Sequence, residues 1–279
     1  MAKAFSVASW NIKHFGASDK KKEKPKKALE PIIRFLQDNE ADIMALFEVR
    51  SKIVFRPLVK AFPHHQFHIT EGPQTQEILV GIRRTLNAFI TQKLAFKSGQ
   101  PQLRPGVLVT PHIDGQFYPI LFLHLKSMTD PKGFGLRDDM MRRAYDFRKK
   151  LNAASENGRA NYIFAGDLNT MGLDYIRANK DISGAEEIRE LARRGRYKDM
   201  TVLEKNYDAT YLNISKSNVE TMSNIDHVVA ANHLTFKRFK GKPVDVRGWP
   251  QEETLAQRKA WINTYSDHPL LYFEVQQVL

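Results

Sequence analysis

Short apolar runs, each stopping at a polar residue, punctuate the chain from end to end. Residues 4–10 alternate as a half-buried strand that stops at Asn11, with His14 and Gly16 just beyond. Leu29, Ile32, Ile33 and Leu36 then fall at i, i+3, i+4 and i+7, which predicts a one-faced helix running out near Asn39. Residues 41–47 form a second apolar strand ending at Glu48, so a strand, a helix and a strand make a layered α/β element. A helix is predicted over 53–61 and strands over 77–82, 88–90 and 107–109. The run 119–123 ends at His124, followed by Lys126 and Ser127.

Residues 128–138, holding Gly133 and Gly135, read as a loop. Residues 138–154 read as a polar helix with Met141, Tyr145 and Leu151 inward and Arg142, Arg143, Arg148, Lys149 and Lys150 on its wet face. Residues 162–165 form a short buried strand that breaks at Gly166, with Asp167 and Asn169 directly after. The stretch 172–200 reads as helical and charged, and 207–212 as a short strand or loop. Strands follow over 225–230, with Asp226 inside, and over 234–239. Ser266, Asp267 and His268 lead into a last strand over 270–275.

A second regularity concerns where the polar residues stand. Asn11, Glu48, His124, Asp167 and Asn169 each close an apolar strand, whereas Asp267 and His268 open one. With the last strand antiparallel to its neighbours, all seven meet on one rim of a sheet, where α/β active sites are built. Taken alone, Gly166-Asp167 is an ordinary turn in which Asp bonds its own backbone. Seven such residues at strand ends are better explained by a site.

Composition narrows the chemistry. Absence of cysteine excludes disulfides and thiolate metal centres, so any metal is held by oxygen or imidazole, which points to Mg²⁺, Mn²⁺ or Ca²⁺. Lys and Arg total 43 against 31 Asp and Glu, a formal charge of +12 that suits a polyanionic partner. Basic clusters lie at 20–27, 142–150, 193–198 and 237–242; the first, with six lysines in eight residues, reads as a solvated segment that adds to the field. No Gly/Ser/Pro-rich linker divides the chain, so residues 1–279 are expected to form one domain, a monomer without stable membrane association. No apolar run approaches a membrane span and no signal-peptide core opens the sequence. The expected location is cytoplasmic, or secreted where a signal peptide has been removed.

At the rim residues the chain resembles the endonuclease/exonuclease/phosphatase family, whose members include deoxyribonuclease I-like nucleases, abasic-site endonucleases, sphingomyelinases and inositol-polyphosphate phosphatases. The matching segments are Ser9-Trp-Asn-Ile12, Leu46-Phe-Glu-Val49, Leu123-His-Leu-Lys-Ser127, Gly166-Asp-Leu-Asn169, Ile225-Asp-His-Val228 and Ser266-Asp-His-Pro269. They occur in the family's order. The resemblance implies a deoxyribonuclease I-like α/β fold, a four-layered sandwich of two packed mixed β-sheets flanked by helices, and metal-dependent hydrolysis of phosphate esters. It assigns Glu48, with Asn11 and Asp267 near it, to a Mg²⁺ or Mn²⁺ ion, and Asn11 also to the phosphate. It assigns Asp167 and Asn169 to the attacking water and the scissile phosphate. His268 would adjoin that phosphate with Asp226 as its carboxylate partner, and His124 would assist with Glu77 behind it. Lys126 and Thr210 would touch substrate. Within the family the basic balance favours a nuclease acting on DNA or RNA, with DNA as the expected partner. The alternatives are a phosphatase or phospholipase of the same fold acting on inositol phosphates or phospholipids, and a catalytically silent nucleic-acid-binding protein. His227 alternates away from Asp226 and reads as structural, and His14 has no partner legible in the sequence.

Overall fold

A computed structural model describes residues 2–19, 24–25, 28–50, 52–175 and 180–278. In chain order, the first strands are β1 (Lys3–Phe15), β2 (Ile43–Val49), β3 (His65–Ile69), β4 (Glu77–Arg83), β5 (Asn87–Lys93), β6 (Gly106–Ile113) and β7 (Ile120–His124). The second half supplies β8 (Ile163–Asp167), β9 (Met200–Val202), β10 (Tyr211–Ile214), β11 (Glu220–Ser223), β12 (Asp226–Ala231), β13 (Val244–Arg247) and β14 (Leu270–Gln276). The helices are α1 (Leu29–Asp38), α2 (Phe55–Ala61), α3 (Pro131–Ala154), α4 (Gly184–Arg196) and α5 (Leu255–Thr264).

Two large mixed sheets carry these elements. The first runs β13-β14-β1-β2-β4-β3 and the second β9-β12-β8-β7-β6-β5, with a short strand, Gln116–Phe117, added beside β6. Alternation along the strands explains why the sheets lie face to face. Phe5 and Val7, Ile43, Ala45 and Phe47 share one apolar cluster with Ile120, Phe122, Ile163 and Ala165 of the opposite sheet. The intervening residues Ala8, Trp10, Met44 and Leu46 pack instead with Ile32 and Leu36 of α1, Leu58 of α2 and Trp261 of α5. Leu121, Leu123, Tyr162 and Phe164 likewise meet Met140, Met141, Ala144 and Tyr145 of α3 and Leu191 of α4. The result is the helix, sheet, sheet, helix order of a deoxyribonuclease I-like sandwich.

Topology brings the functional ends together. β1 and β2 run parallel, as do β7 and β8, so both central pairs end on the same side of their sheets. β14 is antiparallel to β1 and β12 antiparallel to β8, so the starts of these strands reach that side too. Asp226, the first residue of β12, stands directly opposite Asp167, the last of β8.

Several local expectations need correction. The segment 128–138 is helical from Pro131 onward. Asp130 caps the helix by accepting from the backbone N–H groups of Lys132 and Gly133 at 3.0 and 3.1 Å, and proline suits the first helical position. Gly133 is required there: a Cβ would stand 2.8 Å from the Ser127 carbonyl oxygen and 2.9 Å from that of Met128. Residues 234–239 form no strand; Phe236 makes one isolated bridge to Val275 and Phe239 another to Lys242. Among the described residues of 172–200, the helix is α4, preceded by the two-residue strands Gly172–Leu173 and Ile182–Ser183. β3, β13 and α5 were not legible as separate elements. Arg148 is buried rather than on the wet face of α3. Most of the lysine cluster 20–27 lies outside the described residues. Among the described residues, no helix is long and apolar enough to cross a membrane.

Candidate active site

The rim residues converge where the seam between the two sheets opens to solvent. Asn11, His124, Asp167 and Asp226 continue the alternation of the inter-sheet faces of β1, β7, β8 and β12, so each emerges from the shared apolar layer. Gly166 makes the close approach possible. A Cβ there would lie 2.1 Å from the Leu123 carbonyl oxygen and 2.8 Å from the Phe47 ring, so only glycine lets β8 set Asp167 beside His124.

Glu48 departs from alternation. It follows inward-facing Phe47 and on a regular strand would point to the helix layer. Instead its φ is +61° and the pairing of β2 shifts register around it, an irregularity of the kind that re-aims a side chain. Lys13, His14 and Asn169 also have positive φ (34, 61 and 50°), and all four line one cavity of about 320 Å³. Non-glycine residues rarely adopt this conformation, and such strain gathers at functional sites. Asp167, His124, Asp267 and His268 line the same cavity.

Hydrogen bonds fix these groups. Asn11 donates from Nδ2 to Asp167 Oδ2 (2.9 Å) and, more weakly, to Glu48 Oε1 (3.4 Å). Its Oδ1 accepts from the Lys13 backbone N–H, so Asn11 serves the site as a donor. Asn169 donates from Nδ2 to the Leu125 carbonyl (3.2 Å), and its backbone N–H reaches Asp167 Oδ1 (3.1 Å). The turn before β14 is pinned to β1: Trp10 Nε1 donates to the His268 carbonyl and Ser266 Oγ to the Asn11 carbonyl. His268 Nδ1 lies 2.8 Å from Asp226 Oδ2, with the Tyr211 ring edge-on to the imidazole at 5.3 Å between centroids.

The electrostatics follow from this packing. Burial raises the Asp167 carboxyl to about 7, assisted by the facing Asp226, while His268 and the Asn11 hydrogen bond pull the other way. Burial by itself would lower His268, but the Asp226 carboxylate outweighs it and holds the imidazole at about 10. His124 is driven well below its ordinary value by burial and by Arg104, and is therefore neutral. Asp167, Asp226 and His268 offer three ligand atoms within 4.8 Å of one another, a donor set compatible with a cation, although two of them are already bonded to each other.

Glu48 and Asp267 offer oxygen donors at the mouth of the same cavity. Asp267 is paired with Lys13, and Glu48 with the His14 imidazole; among the described residues no lysine or arginine bridges to Glu48. Three carboxylates, Glu48, Asp167 and Asp267, line this partly desolvated cavity and suit a hard divalent ion.

Other expected residues stand differently. Glu77 accepts from Thr70 Oγ1 and from Gln74 Nε2 (2.8 Å), not from His124, whose Nδ1 has no hydrogen-bond partner among the described residues. Thr210 is fully buried, and its Oγ1 accepts the backbone N–H groups of Ile225 and Asp226, supporting Asp226 from behind. Lys126 stands half-buried beside the cavity without lining it, and its backbone carbonyl accepts from Arg137. His227 is buried against Thr170 Oγ1 at 2.8 Å.

The strand-end pattern missed Lys13, His14, Arg104 and Tyr211, all of which line the cavity. Lys13 and His14 lie on the continuation of β1 beyond Asn11, and Arg104 arrives from the segment before β6 to bond the His124 and Leu125 carbonyls at 3.3 and 2.9 Å. The basic clusters at 142–150 and 193–198 are largely engaged elsewhere: Arg142 and Arg143 with Asp139, Arg193 and Arg194 with Glu190, Lys198 with Asp146.

The fold and the seam-end cavity define a two-sheet α/β protein of the deoxyribonuclease I type. The chain belongs to the Endonuclease/Exonuclease/phosphatase family, a family of phosphoester hydrolases whose model matches residues 8–268. Among solved structures, a truncated TDP2 from Caenorhabditis elegans is similar with a TM-score of 0.67 at 14% identity over 98% of each chain. TDP2 from D. rerio, complexed with single-strand DNA product, gives 0.63 at 16% identity over 98% of each chain. The mannosyl-6-phosphatase Bt3783 of Bacteroides thetaiotaomicron gives 0.60 at 15% identity, covering 98% of this chain and all of that one. At these identities the likeness is one of fold. A search of the curated proteins finds no match.

Proposed function

We propose that the protein is a metal-dependent phosphodiesterase that hydrolyses nucleic acid, with DNA as the preferred class, by in-line attack of water on phosphorus. The observation that carries this reading is His268, bonded to Asp226 at 2.8 Å and lining one cavity with Asp167 and Glu48. In this reading Asp167 and Asn169 hold and orient the water, Asp167 taking its proton as the new phosphorus–oxygen bond forms. The leaving alkoxide departs as the old bond breaks. His268, kept as imidazolium by Asp226, stabilises the charge that accumulates on the phosphoryl oxygens.

Glu48 and Asp267 would hold the Mg²⁺ or Mn²⁺ ion, with Asn11 orienting Glu48 and Asp167 from between them. The chemistry such an ion supplies when bound is charge stabilisation at the non-bridging and leaving oxygens. Lys13 and Arg104 add fixed positive charge for a phosphate, and neutral His124 can donate to the leaving oxygen. The net charge of +12 and the DNA-bound structural neighbour support nucleic acid as substrate.

A phosphomonoesterase is the second reading, because a sugar-phosphate phosphatase shares the fold. The test is incubation with plasmid DNA, single-stranded DNA, RNA and a sugar phosphate, with Mg²⁺ or with EDTA. EDTA-sensitive cleavage of a nucleic acid is the expected result. Turnover of the sugar phosphate alone would replace the first reading by the second.

A further inference from the structure

His14 stands where the strand-end logic gave it no role, yet it is built into the cavity. The extension of β1 past Asn11 carries it there at a φ of +61°, opposite Glu48 at the same φ. Its Nδ1 lies 2.8 Å from Glu48 Oε2, and its backbone N–H donates to the same oxygen at 3.1 Å. Gln76, whose Oε1 accepts from Arg104, turns Nε2 toward that ring nitrogen at 3.3 Å. An amide N–H is a donor, so this contact favours the tautomer whose Nδ1 keeps its lone pair. With the ring proton on Nδ1 the pair is an ordinary N–H···O hydrogen bond; with it on Nε2, Nδ1 and Oε2 both present lone pairs to one cation.

We infer that the His14 Nδ1 is a direct ligand of the divalent ion held by Glu48, and that this makes the site select Mn²⁺ over Mg²⁺. The inference rests on the metal-site reading above. Nδ1 and Oε2 lie 2.8 Å apart on one wall of the cavity, close enough for both to reach a single ion. Oxygen donors alone accommodate either ion. An imidazole favours the transition metal, because Mg²⁺ takes oxygen ligands and keeps its water while Mn²⁺ accepts nitrogen more readily. Asp267 is not equivalent, since its partner is the Lys13 ammonium, which has no lone pair to offer a metal.

The test measures metal binding without substrate. MnCl₂ and MgCl₂ are titrated calorimetrically into the wild type, His14→Asn and Glu48→Gln, and the Mn²⁺-loaded proteins are examined by pulsed electron paramagnetic resonance. The expected wild type binds Mn²⁺ more tightly and shows nitrogen coupling from a directly bonded imidazole. His14→Asn is expected to lose that coupling and to bind Mn²⁺ about 10- to 100-fold more weakly, with a much smaller change for Mg²⁺. Retained coupling in His14→Asn, or none in the wild type, overturns the assignment of His14 as ligand while leaving Glu48 as the metal site. Unchanged binding by Glu48→Gln, or no binding by the wild type, overturns the metal site itself and the inference with it.

Discussion

Asn11 Nδ2 donates to Asp167 Oδ2 at 2.9 Å, joining β1 in one sheet to the end of β8 in the other across 156 residues of sequence. The same amide lies 3.4 Å from Glu48, so one side chain couples the expected metal carboxylate to the expected water-holding carboxylate. Asn11→Ala is expected to lower kcat about 100-fold or more with an unchanged circular dichroism spectrum, the usual scale for losing one preorganised donor. A variant within a fewfold of wild type would remove Asn11 from the catalytic apparatus.

The pH dependence of turnover has a definite sign. In the proposed mechanism Asp167 takes the proton as a carboxylate; burial together with Asp226 lifts its pKa to about 7, so the rate is expected to rise as pH passes through about 7. The Asn11 hydrogen bond favours the ionised form, so the residual activity of Asn11→Ala should show the same rise displaced to higher pH. A flat profile from pH about 5 to about 9 contradicts this.

Stability carries the mark of His268. Its folded pKa of about 10 lies above the unfolded value of about 6.5, so the imidazolium–carboxylate pair stabilises fully below about pH 6.5 and ceases to as pH rises through about 10. Asp226→Asn should therefore lower Tm most near pH 6, and the gap from wild type should narrow towards pH 10. Tm measured across that range in both proteins checks the sign, and a gap that widens with pH would refute it.

Arg137 in α3 is fully buried and spends all its N–H donors: on Glu187 (2.7 and 3.0 Å) and on the carbonyls of Lys126, Met128 and Gly172. It thereby ties the segment leaving β7 to the segment leaving β8. Arg137→Met strands the Glu187 carboxylate and is expected to cost roughly 3–5 kcal/mol in urea unfolding. The double variant Arg137→Met with Glu187→Met should recover much of that loss. Equal destabilisation by single and double variants would show that the stranded charge is not what costs.

The legible part of this molecule was what local chemistry encodes. Strand alternation, the one-faced α1 and the polar positions Asn11, Glu48, His124 and Asp167 are patterns of a few residues, and they predicted a layered α/β element and the rim, whereas the two packed sheets were expected from the family resemblance. Contacts set by distant chain were not legible. Glu77 opens β4 as expected, but Thr70 and Gln74 from the preceding turn capture its carboxylate before it can serve His124. Arg104 reaches the cavity from an irregular segment that has no periodicity to read. The glycines at 133 and 135 suggested a loop, whereas Gly133 is the close-packing point of a helix whose cap, Asp130, lies outside the periodic stretch. His14 escaped notice because its position depends on a positive φ beyond the expected end of β1.

In the proposed function, the cavity that His268, Asp167 and Glu48 share is a hydrolytic site for phosphodiesters. This is tested most directly by the EDTA-sensitive cleavage rate of single-stranded and plasmid DNA by the wild type, His268→Ala and Glu48→Gln. The expected result is cleavage by the wild type that EDTA abolishes, and loss of most turnover in each folded variant. Wild-type rates in either variant with Mg²⁺ or Mn²⁺ present would contradict it.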